Sequence, residues 1–452
     1  MRTIDRGLLQ DLMAREEGTF AETHPRSREL FDEAKGSLIG GVPMSWMAMW
    51  PGGFPVFAAE AEGARVTDVD GHAYVDLCLG DTGAMTGHSP AIAVDAIAER
   101  ARHGITMMLP TEDSVWVGQE LGRRFGLPLW QFSLTATDAN RWAIRIAREI
   151  TQRPKVLVFN WCYHGTVDET FATLAPDGGG VVARPGNVGP PVELDRTTKV
   201  VEFNDLEALE QALAPGDVAC VLAEPALTNI GIVPPEPGFH QALRQATRRT
   251  GTLLIIDETH CICAGPGGAT RAWGLEPDIL TIGKPIGSGV PAGAYGLSHD
   301  VARRMFDADA ADYEDAGGVG GTLAGNALSV AAMRVTLAEV LTDDAFARMI
   351  GLGERFEAGV ERVIAAHDLP WHVTRIGCRC EYLFTPNRPR TGTEAAANKD
   401  PALDAFVHLY LLNRGVLMTP FHNMALMSPA TTADDVDRHT EVFAAAAGEL
   451  SG

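Results

Sequence analysis

The 452-residue chain reads as an α/β protein: a large domain with a mostly parallel sheet covered by helices, then a smaller C-terminal α/β domain. Two patterns and one residue carry that reading. From about residue 90, short apolar runs alternate with amphipathic helical stretches, the order in which parallel strands and their crossover helices follow one another. After about residue 326 long helices dominate and strands become few. Within the first region, 281-TIGKPIGSGVP-291 holds Lys284 among small and apolar neighbours, with no other Lys or Arg between Arg271 and Arg303.

The elements follow in order. Residues 1–62 form an N-terminal segment of short helical pieces and the loop 40-GGVPMSWMAMWPGG-53, expected to contribute to the small domain and to a dimer interface. VFAAEAEGARVTDVDGHAYVDLCLG reads as strands turning at Asp70-Gly71, a hairpin signal. AIAVDAIAERARHG and SVWVGQELGRRFG are amphipathic helices. KVLVFN, KVVEF, VACVLAE, TLLIIDE and DILTIG are the buried strands, and they set the large domain at 63–326. The small domain, 327–452, contributes the helices ALSVAAMRVTLAEVL and ERFEAGVERVIAAH and the strands CRCEYLFTP and GVLMTP.

Composition narrows the function. Apolar residues are 46% and charged residues 21%, as in ordinary soluble domains. A net charge of −22 is the opposite of the basic surface that nucleic acid or an anionic membrane needs, so neither is an expected partner. The N-terminus lacks an apolar signal region, and no apolar run nears the roughly 20 residues that span a bilayer. Seven scattered cysteines suit reduced thiols, so a cytoplasmic location is expected. Strand alternation would put Cys261 with Cys263, and Cys378 with Cys380, on one face. They read as core thiols, and no metal site is expected.

Ligands of open α/β sheets bind beyond the C-terminal ends of the strands. Glu224 follows VACVLA, Asp257 ends TLLIID, Lys284 follows DILTIG, and Tyr163 follows KVLVFN. Singly, each has an ordinary structural reading as a cap, an ion-pair partner or a core residue. Together they meet the needs of a pyridine ring that forms a Schiff base: a desolvated lysine, a carboxylate to keep the ring nitrogen protonated, and an aromatic face against the ring. In LTATDANRWAIRIAREIT a helix beginning near Asp138 would offer the Ala136 and Thr137 amides to a phosphate; an ordinary Thr/Asp cap fits this stretch equally well. No G-x-G-x-x-G follows an expected strand, and no P-loop, H-E-x-x-H or G-x-S-x-G occurs.

These residues resemble the class III pyridoxal-phosphate aminotransferases of fold type I, in the branch of glutamate-1-semialdehyde aminomutases and β-amino-acid transaminases. The motifs that carry the resemblance are DVDGHAYVD, GHSP, TATDAN, YHG, AEP, DET, GKPIGSGVP and GGTLAGN, in that order along nearly the whole chain. The resemblance implies pyridoxal 5′-phosphate as cofactor, Lys284 as Schiff-base lysine and proton carrier, and Asp257 at the pyridinium nitrogen. It also implies Tyr163 on the ring face, Thr259 behind it, Ala136 and Thr137 on the phosphate, and Glu224 and Asn229 near the ring hydroxyl. A homodimer with shared active sites is implied, Thr322 coming from the neighbouring subunit.

The implied activity is transfer of an amino group between an amine or amino acid and a keto acid. An aminomutase, racemase or lyase would use the same ring-holding residues. The substrate side departs from the family. The branch places an arginine shortly after the Gly-Gly of the N-terminal loop, to bind a substrate carboxylate. Here Met44, Trp46, Met47 and Trp50 occupy that loop, which suits a hydrophobic or aromatic substrate group or, equally, interface packing. A substrate carboxylate would instead be held by Arg379, the preferred anchor, by Arg26, or not at all, with His422 and Asn423 as further pocket residues.

Overall fold

The computed structural model describes residues 4–178, 180–188, 193–306 and 318–451. It divides into two compact units: Ala91–Asp343 with Pro389–Ala397, and Met1–Pro90 with Asp344–Arg388 and Asn398–Gly452.

The first unit is built on seven strands, β1 (Leu129–Ser133), β2 (Lys155–Phe159), β3 (Thr198–Val201), β4 (Val218–Ala223), β5 (Leu253–Asp257), β6 (Ile279–Ile282) and β7 (Gly293–Leu297). Their order across the sheet is β1-β7-β6-β5-β4-β2-β3. The run from β6 to β3 is parallel, and β7 is antiparallel to both of its neighbours. Strands β2 to β6 are the five apolar runs of the sequence. Every residue of β4, β5 and β6 is buried, as expected of strands covered on both faces.

Strands β1 and β7 carry no comparable signal. The glycine-rich β7, GAYGL, has little intrinsic strand preference; it is a strand because it is laddered to β6 on one side and β1 on the other. A Cβ at Gly296 would stand 2.6 Å from the Trp130 ring, so this strand lies too close to β1's tryptophan for a side chain there.

The second unit holds a four-stranded sheet and a three-stranded antiparallel sheet. The expected hairpin is present, Arg65–Asp68 against Ala73–Asp76, with Gly71 at φ +92° in its turn. A local core of Phe20, Phe54, Tyr74, Leu409 and Leu412 packs beside it.

The expected boundaries at 62/63 and 326/327 are displaced. Val416–Leu417 pairs in parallel with Ala73–Asp76, so strand pairing takes residues 63–90 into the unit that holds most of the C-terminal chain. Residues 327–343 stay with the large sheet's unit. There the buried Arg124 guanidinium donates to the carbonyls of Leu337 (2.7 Å) and Leu341 (2.9 Å). All seven cysteines are buried and outside any disulfide, but Cys261 and Cys263 lie in a 3-10 turn, Cys261–Ala264, rather than a strand. No helix among the described residues is long and apolar enough to cross a membrane.

Ile255, fully buried at the centre of β5, tests the sheet. Ile255→Ala should destabilise the unit by about 2–5 kcal/mol, the cost of lost transfer energy plus a cavity, read as a lower denaturant midpoint with folded-state activity retained.

Candidate active site

Asp257 is the last residue of β5, in register with Thr281 of β6. Its carboxylate is buried and held by three donors of its own unit. Oδ2 accepts from Asn140 Nδ2 (2.8 Å) and His164 Nδ1 (2.9 Å), and Oδ1 accepts from the Thr259 amide (3.0 Å). Burial alone would raise its pKa. The donors, led by His164, outweigh burial and hold it below the ordinary carboxylate value. His164 is the converse case: burial works against its charge, yet Cys162 and Asp257 carry its pKa well above the ordinary value. Two oxygens have about four acceptor sites between them, so Oδ1 retains a position for one further donor.

Asn140 and Thr281 orient this group. Thr281 Oγ1 donates to Asn140 Oδ1 (2.6 Å). That fixes which end of the amide is the donor end, and Nδ2 then serves both Asp257 and the His164 carbonyl (3.1 Å). Sequence reasoning did not single out Asn140, Thr281 or the side chain of His164. A signal existed for Asn140: a polar residue on the apolar face of the Ala136–Thr151 helix, beside the buried Ala139 and Ala143.

That helix begins at Ala136, two residues before the expected start, because Thr135 is the N-cap and accepts from the Asp138 amide (3.2 Å). The two readings of this stretch are therefore compatible. The cap consumes the Asp138 amide, while the Ala136 and Thr137 amides belong to the first turn, which has no intrahelical acceptors. With the helix dipole behind them they suit an anion. Two glycines bring other segments against this turn. A Cβ at Gly165 would stand 2.0 Å from Thr137 Oγ1, and one at Gly283 would stand 2.9 Å from both Ala136 N and Cβ. Gly165 also has φ +78°, where a side chain is strained.

Lys284 follows that close contact. It opens a 3-10 turn, Lys284–Gly287, at φ +51°, and its Nζ lies 2.8 Å from His260 Nε2. His260, two residues after Glu258 in the segment that follows β5, was not anticipated. The Tyr163 amide donates to Glu224 Oε1 (3.3 Å), and its ring meets Phe171 edge-on. Glu224 Oε2 accepts from the Thr228 amide (3.1 Å) and hydroxyl; burial raises its pKa. Asn229, next in the chain, is half-buried, and Thr322 lies in an exposed turn.

The structure thus joins Asp257 to His164, Tyr163 to Glu224, and the Ala136 turn to the segment leading into Lys284. The remaining expected residues belong to the second unit. Trp46 and Met47 sit in the 3-10 turn Ser45–Ala48, both partly exposed. Arg379 is fully buried with Glu381 at 3.6 Å, and His422 Nδ1 is 3.1 Å from the same carboxylate. A buried guanidinium whose charge Glu381 already balances is a poor free anchor for a substrate carboxylate.

The residues of the large unit fit pyridoxal phosphate on three counts. An ionised buried carboxylate has one acceptor position left, a helix start offers two amides, and a lysine stands beyond the neighbouring strand. Comparisons with known proteins point the same way. The family model described as aminotransferase class-III matches residues 47–446. A glutamate-1-semialdehyde 2,1-aminomutase of Sorangium cellulosum is 35% identical over 425 residues, 92% of this chain and 95% of that protein. The crystal structure of a glutamate-1-semialdehyde-aminomutase from Pseudomonas aeruginosa PAO1 superposes with a TM-score of 0.96 at 51% identity, covering 99% of both chains. A β-phenylalanine aminotransferase from Variovorax paradoxus gives a TM-score of 0.86 at 26% identity, covering 97% of both chains.

Two outcomes follow from the geometry. Gly165→Ala should weaken retention of pyridoxal phosphate at least about tenfold, or 1.4 kcal/mol, because the new Cβ displaces Thr137; the check is cofactor absorbance after dialysis. The second concerns pH. His164's raised pKa contributes stability that is complete below 6.5 and lost as pH rises through its folded value. Asp257's lowered pKa contributes stability that is complete above 3.8 and lost as pH falls through its folded value. The gap in melting temperature between wild type and His164→Asn should therefore be widest between those two pH values and shrink on either side.

Proposed function

The chain belongs to the class-III aminotransferase family, and we propose that it is a pyridoxal-phosphate-dependent aminomutase, moving an amino group between two carbons of one small amino-carbonyl substrate. The observation that carries the reading is the 51% identity to the Pseudomonas aeruginosa aminomutase over 99% of both chains, supported by the Sorangium cellulosum relative of the same activity. Glutamate-1-semialdehyde is accordingly the first substrate to test.

When bound, pyridoxal phosphate supplies the electron sink for a carbanion at the substrate carbon. The rest of the work falls to this chain. Asp257, kept ionised by Asn140, His164 and the Thr259 amide, would hold a proton on the ring nitrogen. The Ala136 and Thr137 amides, with the Thr137 hydroxyl, would bind the phosphate. Tyr163 and Thr259 would contact the ring, and Glu224 and Asn229 would serve its hydroxyl. Lys284 would hold the cofactor at rest, and its amine would then take a proton from one carbon and deliver it to another. His260, 2.8 Å from Nζ, orients that amine. The active unit is a homodimer in which Thr322 of each chain completes the partner's site, and the protein acts in the cytoplasm.

A second reading has its own observation. The loop 40–53 carries methionines and tryptophans and no arginine, and its Met44, Trp46 and Met47 are exposed within their unit. This suits a transaminase acting on an amine or a β- or D-amino acid with a hydrophobic or aromatic group, with a keto acid as second substrate.

One experiment separates the readings. Holoenzyme is mixed with glutamate-1-semialdehyde, β-amino acids, D-amino acids and aryl amines in turn, without keto acid. Many turnovers of isomerised product with the cofactor band restored support the aminomutase. Stoichiometric release of a carbonyl product, with the cofactor left aminated until keto acid is added, replaces it with the transaminase. Under either reading Lys284→Ala should purify folded and lose about 100-fold or more of its steady-state rate, in line with removal of the proton carrier.

A further inference from the structure

Within the second unit, three side chains meet at the base of the Asp70-Gly71 hairpin. His24 joins the helices Arg6–Thr23 and Pro25–Ala34 and is buried. Its Nδ1 lies 2.9 Å from the Phe20 carbonyl and 3.0 Å from Thr23 Oγ1, whose own proton goes to the Thr19 carbonyl (2.8 Å). Both neighbours are acceptors toward the ring. Nδ1 therefore carries the hydrogen, and Nε2 presents a lone pair inward.

Asp68 faces that lone pair. Its Oδ1 accepts from the Asp70 and His72 amides (2.9 and 2.8 Å) and so holds the turn. Its Oδ2 points into the cluster, 2.7 Å from the Tyr74 hydroxyl, 2.9 Å from His72 Nδ1 and 3.5 Å from His24 Nε2. The Tyr74 hydroxyl is also 2.8 Å from His24 Nε2. A hydroxyl has one proton, so it can serve the carboxylate or the imidazole but not both. The Tyr74 proton goes to Asp68 Oδ2, so the His24 Nε2 lone pair is left facing the hydroxyl oxygen and the carboxylate.

We propose that His24, Asp68 and His72 form a binding site for a divalent transition-metal cation, Zn²⁺ being the one whose ligand chemistry fits. Two imidazoles and a carboxylate are a usual zinc donor set. One ligand atom from each residue lies within 4.8 Å of the others. Atoms bound to one tetrahedral ion at ordinary bond lengths stand about 3.3 Å apart, and the His24–Asp68 separation of 3.5 Å already matches. His72 joins by moving its Nδ1 proton to Nε2. Its side chain is 38% exposed, so water serves the new N–H and gives the ion a path in. The Nδ1–H bond of His24 to the Phe20 carbonyl orients that ligand, and Tyr74 remains behind the metal as a donor to Asp68 Oδ2. No zinc-ligand spacing in the sequence announces this site, and no metal was expected from it.

The test uses chelator-washed holoenzyme titrated calorimetrically with Zn²⁺, alongside His72→Ala. That variant removes the most exposed ligand and leaves the buried His24–Tyr74–Asp68 contacts, so the fold and the cofactor absorbance should be unchanged. The expected result is one Zn²⁺ per wild-type chain, a melting temperature raised by Zn²⁺, and binding weakened at least about tenfold in the variant with the thermal shift lost. Absence of stoichiometric Zn²⁺ binding by the wild type overturns the proposal. So does binding and thermal stabilisation that persist undiminished in His72→Ala.

Discussion

Asp257 is a charged carboxylate that water barely reaches, and the large unit's site is arranged around keeping it charged. Removing such a group from water costs on the order of several kcal/mol unless its oxygens find donors. Asn140, His164 and the Thr259 amide supply them, and each comes from a different segment: a helix, the stretch after β2, and the residue two beyond β5's end. The carboxylate therefore ties together the elements that must be aligned for any ring to sit against it. Thr281 on β6 extends the network by fixing the Asn140 amide.

Close approach of backbone to backbone is the second constraint. Gly283 and Gly165 let the segments leading to Lys284 and following Tyr163 reach the first turn of the Ala136–Thr151 helix. Lys284 itself sits at φ +51°, a conformation that costs a residue with a Cβ about 1–2 kcal/mol. Strain of this sort persists where the surroundings over-determine it, and it gathers at functional positions. The lysine's turn and the helix start are thus one piece of geometry. The same contact that brings Gly283 against Ala136 aims the chain so that Nζ meets His260.

Much of this was legible in the residue order. The five apolar runs became β2 to β6, and their C-terminal ends carry Tyr163, Glu224, Asp257 and Lys284 because open sheets present their ligand-facing edge there. The Asp70-Gly71 hairpin and the helices at Ala91–Arg102 and Glu112–Phe125 were equally readable. What stayed hidden had weak local signals. GAYGL became a strand through its two neighbours rather than its own preference. The division of the chain moved to 90/91 because Val416–Leu417 pairs with a hairpin more than three hundred residues earlier.

Residue order sufficed for the layered α/β plan, the family, the cofactor, and which strand ends bear reactive groups, since the plan rests on periodicity and the rest on short ordered motifs. How those groups are paired emerged only on folding. His164 and Asn140 became partners of Asp257, His260 became the neighbour of Lys284, and Arg379 was balanced by Glu381. It also brought His24 to Asp68 and His72 across the second unit. The physical reason is the same in each case. Hydrogen bonds and ion pairs depend on distances of about 3 Å, and residues far apart in the chain acquire such distances only when packing brings their elements together.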